Sequence, residues 1–362
     1  MKGDRKMFSK KSIFVLSLFF ILFCITVFSG NIEFEDSAGR QVKLDKTAER
    51  IVDLTFLDGV RTLIELEASD KLVGMSEMDH HAFMEDGPMK DMYIIVSKVA
   101  PELKNIVNVG SHKEPNVETI ISLNPDVIFM GWSRKEYADT LQGQTGVPVV
   151  CVGGYGEFNY SVFDIVGKVV GKEERAAELV SFLKSKLKIV TDVTDKIPED
   201  QKKKIFYLVR PYIGDPRTNG RYQAFEIAGG INVASRGKVI PYGVYKITSE
   251  QILAWNPDFI FRHSSNTRDI KGLHTLETVC QDKIMKMTSA VKNGNVFNTK
   301  GHLRGWDIAT ESVEVFYLAK ILYPELFEDM DVESMGNEIL EKFYGLPGLY
   351  TEMSELIRLY TW

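Results

Sequence analysis

Residues 116–129 read NVETIISLNPDVIF, and residues 248–261 read TSEQILAWNPDFIF. Seven of the fourteen positions are identical at an offset of 132. Each copy opens on polar residues and a glutamate, Glu118 or Glu250, and continues as a short amphipathic helix. Asn-Pro-Asp then stops the helix, because proline biases the residue before it away from the α region. An apolar run follows, VIFMG or FIFRH, of the kind a buried parallel strand requires. The two halves of the chain therefore contain the same helix–turn–strand unit.

Working outward, further β-runs stand at residues 50–56 (RIVDLTF), 71–76 (KLVGMS), 147–154 (VPVVCVGG), 204–210 (KIFYLVR) and 294–299 (GNVFNT), with helical patterns between them. Alternating strands and helices imply parallel sheets covered on both faces. A hairpin with a Gly-Arg turn is expected at residues 33–44. Between the halves, residues 173–197 hold no glycine or proline, and Ala177, Val180, Leu183, Leu187 and Val190 recur at three- and four-residue steps. That is one long amphipathic helix. The expected architecture is α/β: two Rossmann-like lobes with parallel sheets, joined by one long α-helix, with a ligand cleft between them. The boundaries read as a signal peptide over 1–29, an N-terminal lobe over 31–158, a helical linker over 159–198 and a C-terminal lobe over 203–362.

The first thirty residues differ from the rest. Lys2, Arg5, Lys6, Lys10 and Lys11 form a basic head, residues 13–28 are almost wholly apolar, and Val27 and Ser29 are small. This is the pattern of a secretory signal cut after Ser29, with an uncleaved membrane anchor as the alternative. Cleavage removes five positive charges and one negative, so the net charge moves from −6 to −10. An acidic surface excludes nucleic acid as a partner, since that needs basic patches. Cys151 and Cys280 lie in different halves and read as small core residues without a disulfide.

Parallel α/β lobes bind ligands outside the carboxyl ends of their strands. In the first half the residues just past the strands are Thr55, Phe56 and Asp58; Met78, His80 and His81; Ser111 and His112; Trp132, Ser133 and Arg134; and Tyr155. In the second half they are Arg210, Pro211 and Tyr212, with Asn219 and Tyr222 following; Tyr242 and Tyr245; Arg262 and His263; and His302, Arg304 and Trp306. Five of the six histidines fall in these segments. Imidazole and phenolate suit iron, cobalt or nickel, and either can ligate a haem iron axially. His112 and His302 are the candidate metal ligands. His80 and His81 are adjacent, so in extended chain they point oppositely and do not share a metal. Trp132, Trp306, Tyr155 and Tyr212 can floor a pocket for a flat or chelated ligand. Arg134, Arg210, Arg262 and Arg304 can hold carboxylates by paired hydrogen bonds. Basic groups in the cleft of an acidic protein focus an anionic ligand, which points to an anionic metal complex and not a free cation.

The ordered set of motifs carries a resemblance. Residues 36–55 (DSAGRQVKLDKTAERIVDLT), 71–76 (KLVGMS), 100–131 (APELKNIVNVGSHKEPNVETIISLNPDVIFMG), 224–234 (AFEIAGGINVA), 247–261 (ITSEQILAWNPDFIF) and 318–327 (LAKILYPELF) resemble the substrate-binding proteins of ABC importers for iron–siderophore complexes, haem and cobalamin. The resemblance covers nearly everything after residue 31. It implies an extracytoplasmic, monomeric binding protein, periplasmic or on the cell surface, that captures an iron complex or similar metal chelate. It implies no catalysis, and as partners the importer's permease and ATPase. Corrinoid or a nickel or cobalt chelate is the alternative cargo. The resemblance also implies that Glu118 and Glu250 dock onto permease arginines. A metal-dependent enzyme on a similar two-lobed fold is the reading from another class. It would need a nucleophile–base pair or a metal triad, and the chain has no GxSxG elbow and no P-loop.

Overall fold

The computed structural model of the chain describes residues 31–86, 89, 94–154, 158–212, 214–235, 244–264, 275–301 and 307–362. The expected signal segment, residues 1–29, lies outside them. No helix among the described residues is long and apolar enough to cross a membrane.

β1 (Ile32–Glu35) and β2 (Gln41–Leu44) form the expected antiparallel hairpin. β3 (Ile51–Leu54), β4 (Leu72–Met75), β5 (Val107–Asn108), β6 (Val127–Gly131) and β7 (Val149–Val152) build a parallel sheet in the order β5-β4-β3-β6-β7. In the second half, β8 (Lys203–Leu208), β11 (Gly230–Asn232), β13 (Phe259–His263) and β14 (Val296–Thr299) build another, in the order β11-β8-β13-β14. Between β8 and β13 lies an antiparallel ribbon that the residue pattern did not disclose. It contains β9 (Arg210–Tyr212), β10 (Asp215–Thr218) and β12 (Tyr245–Lys246). In both parallel sheets the chain first winds outward and then returns to the far side of its first strand. The reversals fall between β3 and β6 and between β8 and β13. These are the topological switch points where such sheets take ligands.

The repeated unit folds the same way twice. Helices Val117–Ser122 and Ser249–Trp255 start under side-chain caps, with Asn116 Oδ1 accepting from Thr119 N–H and Thr248 Oγ1 from Gln251 N–H. Each places one fully buried isoleucine, Ile120 or Ile252, against its sheet. The termination differs from the expectation: the stop is made by the asparagine itself. Asn124 (φ 47°) and Asn256 (φ 42°) turn left-handed, which asparagine tolerates better than most residues. The aspartate then ties the unit to the sheet. Asp126 Oδ2 accepts the N–H of Glu49 and Arg50 at 2.9 and 3.0 Å, ahead of β3, and Asp258 Oδ2 accepts Lys204 N–H at 2.8 Å in β8. Arg50 and Lys204 return side-chain donors to the helix ends, at Leu123 O and Asn124 O and at Asn256 O. Cations at a helix C-terminus are favoured there by the helix dipole.

The linker helix runs Glu173–Thr194. Its inner face is Ala176, Leu179, Leu183, Leu187, Val190 and Thr194. Ala177, expected on that face, is exposed, because the stripe begins one residue earlier. After β14 comes helix Ile308–Leu322, in which every residue except Lys320 is buried. Helices Val332–Tyr344 and Leu349–Leu356 follow it. One face of each parallel sheet packs into a single core with these helices: Phe129 and Val150 from the first half share it with Tyr207 and Phe261 from the second. The opposite faces form two separate cores, around Ile128 and Met130 and around Phe206 and Ile260. Cys151 and Cys280 are free thiols. Cys151 is buried as expected, but Cys280 is exposed.

Asp126→Ala and Asp258→Ala each remove a carboxylate that holds backbone N–H groups of a neighbouring strand. Each is expected to cost about 1–3 kcal/mol, read as a lower denaturant midpoint with an unchanged slope. A loss confined to one of the two positions would contradict the equivalence of the two units.

Candidate functional site

Near the β3/β6 switch point Phe56 and His112 come together, and the turn that carries Trp132 and Arg134 is tied to the loop of His112. Phe56 follows β3, His112 follows β5, and the turn Trp132–Arg134 follows β6. The Phe56 and His112 rings meet edge-on with centroids 5.7 Å apart. Arg134 Nη2 donates to Lys113 O at 3.1 Å, and its guanidinium lies 4.9 Å from the centre of the Tyr137 ring. This ties the turn after β6 to the loop that carries His112. Trp132 and Asp58 flank Gly153 beyond β7. A Cβ there would stand 2.9 Å from Asp58 Oδ2 and 3.3 Å from Trp132 Cδ1, and φ is 108°, so only glycine fits easily. Phe56, His112, Trp132 and Arg134 are all half-buried, which leaves apolar faces and one guanidinium open to a ligand.

Burial first, then the charges of Lys113 and Arg134, lower the His112 pKa from its ordinary 6.5. The imidazole is neutral at neutral pH, the form that ligates metals or accepts a hydrogen bond. Phe56 and the next residue, Leu57, both have positive φ, 67° and 75°. For residues with a Cβ this costs about 1–3 kcal/mol each, and such strain gathers at functional sites.

At the second switch point His263 Nδ1 sits 3.0 Å from Val209 O. A carbonyl only accepts, so Nδ1 is the donor in this contact. Arg262 is placed differently from the expectation. It lies within β13, is 7% exposed, and gives Nη1 to Asn298 Oδ1 at 2.8 Å. Asn219 and Tyr222 are buried as well, not set at a cleft surface. Past β14, buried Lys300 donates Nζ to Glu311 at 2.5 Å and to Thr310 at 2.8 Å. Beside it Glu314, pushed up to about 8 mainly by burial, accepts the Thr299 hydroxyl and the Lys300 N–H.

The structure does not bring His80 and His81 to the Phe56 cluster. They are not in extended chain but on a helical segment, helix Glu77–His80 running into the turn His81–Phe83. His80 Nε2 bonds Lys104 O at 3.0 Å, and His81 lies 4.0 Å from Glu77. Neither makes a ring or hydrogen-bond contact with Phe56, His112 or Trp132. Arg210 and Tyr212 belong to β9, paired with Arg217 and Asp215 of β10. Tyr155, Tyr242, His302, Arg304 and Trp306 lie outside the described residues. Glu118 and Glu250 are exposed in the first turns of the two repeated helices, and neither has an ion-pair or hydrogen-bond partner among the described residues.

Buried acids beneath this rim had no sequence signal beyond their positions in apolar runs. Asp53 and Asp79 are fully buried. At the junction of the lobes, Asp58, Arg61 and Glu65 of helix Asp58–Glu65 meet Asp307, the cap of helix Ile308–Leu322. They surround a cavity of about 20 Å³, room for one water. Burial, then the charge of Asp307, holds the Glu65 carboxyl well above the usual range.

The family described as "Periplasmic binding protein" matches residues 54–303. The molybdate-binding protein MolA of Haemophilus influenzae is 25% identical over 68% of this chain and 75% of its own length. The iron-uptake system-binding protein of Bacillus subtilis is 25% identical over 78% and 89%. A periplasmic solute binding protein from Veillonella parvula superposes with a TM-score of 0.70 at 22% identity, covering 91% of this chain and 97% of that one.

By NMR titration the His112 imidazole is expected to titrate below 6.5, and Arg134→Ala to move its midpoint upward by removing one of the cations responsible. A midpoint at or above 6.5 in the unaltered protein would refute the neutral imidazole.

Proposed function

Because the chain belongs to the periplasmic binding protein family, we propose that it captures an anionic metal complex at the Phe56–His112–Trp132–Arg134 rim and delivers it to an importer. It is the substrate-binding component of an ABC importer and a binding protein, not an enzyme. Its partners are the permease and ATPase of that importer. The observation that carries the ligand class is the rim: three half-buried aromatic rings beside one guanidinium, at a switch point, with a neutral imidazole among them. Rings cover the faces of a flat or chelated ligand. The guanidinium takes a carboxylate in charge-assisted hydrogen bonds, and His112 can complete a metal's coordination. An iron complex, siderophore or haem, fits these groups, as does a corrinoid or a nickel or cobalt chelate. The iron-uptake relative supports iron. The molybdate-binding relative supports a second reading, a small metal oxyanion held by Arg134 without the rings.

The basic head and apolar run of residues 1–29 support export, with the lobes over 31–158 and 203–362 joined through 159–198 outside the cytoplasmic membrane. Glu118 and Glu250 are the proposed docking groups. Their free carboxylates on pseudo-equivalent helices suit a two-fold pair of permease arginines. Exposed ion pairs of this kind contribute about 0–1 kcal/mol each and act mainly on orientation and encounter rate.

Protein purified from its native host is expected to carry a metal and a visible chromophore. Titration with haem, ferric citrate, cobalamin and molybdate identifies the class. Trp132→Ala and Arg134→Ala should each weaken a chelate by about tenfold, the scale of one charge-assisted contact. Molybdate binding that is indifferent to Trp132→Ala selects the oxyanion, and binding of none of the four overturns the proposal. Glu118→Lys with Glu250→Lys should abolish uptake while leaving ligand affinity within about twofold; unchanged uptake rules out docking through these helices.

A further inference from the structure

Two consecutive left-handed residues, Phe56 and Leu57, must be held in place by their surroundings, and the groups that hold them are two buried carboxyls. Asp53, near the end of β3, accepts the Thr55 hydroxyl at 3.0 Å on both oxygens and the Thr55 N–H at 3.3 Å. Thr55 Oγ1 in turn accepts the Gly59 N–H at 2.6 Å, fixing the start of helix Asp58–Glu65. A Cβ on Gly59 would stand 2.0 Å from Asp53 Oδ1, so the helix start approaches the carboxyl as closely as glycine allows. From the other side comes Asp79. Its Oδ2 accepts the Ser76 hydroxyl at 2.7 Å, the Ser76 N–H donates to Asp53 O at 2.9 Å, and the two carboxyls act on one another electrostatically. Yet Asp79 Oδ1, buried, meets no hydrogen-bond donor among the described residues. Two ionised carboxylates so close in a dry interior repel strongly, and a buried acceptor without a donor is costly. One proton between them answers both.

We infer that Asp53 and Asp79 share a single proton, the Asp53 O–H donating to Asp79, and that this pair is the positioning device that holds the Phe56–Leu57 turn and aims the Phe56 ring at His112 on the ligand rim. Burial raises both acids, which favours a proton on the pair. Burial first, then the Asp79 charge, pushes Asp53 well above the usual carboxylate range, and Asp58 adds to this. Asp79 is raised by burial to about 6 and held down by Ser76, Leu57, Asp53 and Arg61. These are the charged groups around the pair: Asp58 and Arg61 come from the helix beyond the turn, and Asp53 and Asp79 from the strand end and the loop helix. The inference rests on the proposed ligand rim for its functional meaning, but not for its test.

Asp53→Asn replaces the O–H donor with an N–H donor of the same shape, whereas Asp53→Ala removes it. In ligand-free protein the His112 ring resonances should stay at their wild-type positions in Asp53→Asn and move in Asp53→Ala as the Phe56 contact is lost. Binding of haem or ferric citrate should stay within about twofold in the first and weaken about tenfold in the second, the usual scale for leaving a buried acceptor unpaired. At pH 7 the infrared spectrum of wild type minus Asp53→Asn should contain the carbonyl stretch of one protonated carboxyl, a reading that stands even where Asp53→Ala fails to fold. Absence of that band, or displaced His112 resonances in Asp53→Asn, overturns the shared proton. His112 displaced in Asp53→Ala with unchanged ligand affinity leaves the positioning role of the pair intact but removes Phe56 from the binding rim.

Discussion

The constraint on which the rest of the structure depends is that the two halves share one hydrophobic core. Helix Ile308–Leu322 has no face left for solvent apart from Lys320, and a helix buried all round needs neighbours on every side. Those neighbours are helices Glu173–Thr194, Gln223–Ile227 and Val332–Tyr344, and the cluster they form takes in one face of each sheet. The capping residue of that buried helix, Asp307, lies at the small cavity that Asp58, Arg61 and Glu65 line from the first half. The rim at one switch point and His263 at the other are thereby held in a fixed relation by packing and not by loops alone.

The interior holds several buried acids. Asp53, Asp79 and Glu65 in the first half and Glu311 and Glu314 beside Lys300 in the second are all buried, and burial raises every one of their pKa values. A buried carboxyl that stays protonated serves as a neutral donor and places no charge under the site. The cations beside His112 are the exposed Lys113 and the half-buried Arg134. Glu311 is the member that meets a buried cation, Lys300, at 2.5 Å, the pairing a buried charge requires.

Much of this was legible in the sequence, and what was not has definite causes. The parallel strands announced themselves as apolar runs, and the duplicated unit by its identities. The left-handed Asn124 and Asn256 did not, since Asn-Pro-Asp is consistent with several turn geometries. The clamp from Asp126 and Asp258 depends on which strand lies alongside, a tertiary fact. Ala177 and Ala176 are alike to a periodicity argument, and only the neighbouring helices decide between them. Phe56, His112, Trp132 and Arg134 were legible because a strand end fixes where the next residues go. His80 and His81 failed that rule because β4 is followed at once by a helix, which carries them to Lys104 and Glu77. Arg262 failed it because β13 extends through His263, so the residue is inside the sheet. The Asp53–Asp79 pair left no trace, because Asp53 stands in an apolar run and Asp79 in the polar stretch SEMDHH, and only the fold brings those segments together.

The continuous core also bears on how the protein reports that it is loaded. Lobes hinged on loose strands announce their cargo by swinging shut, and a transporter can read that change of outline. Here a wide swing would open the core that the two halves share, which favours modest hinge motion over wide closure.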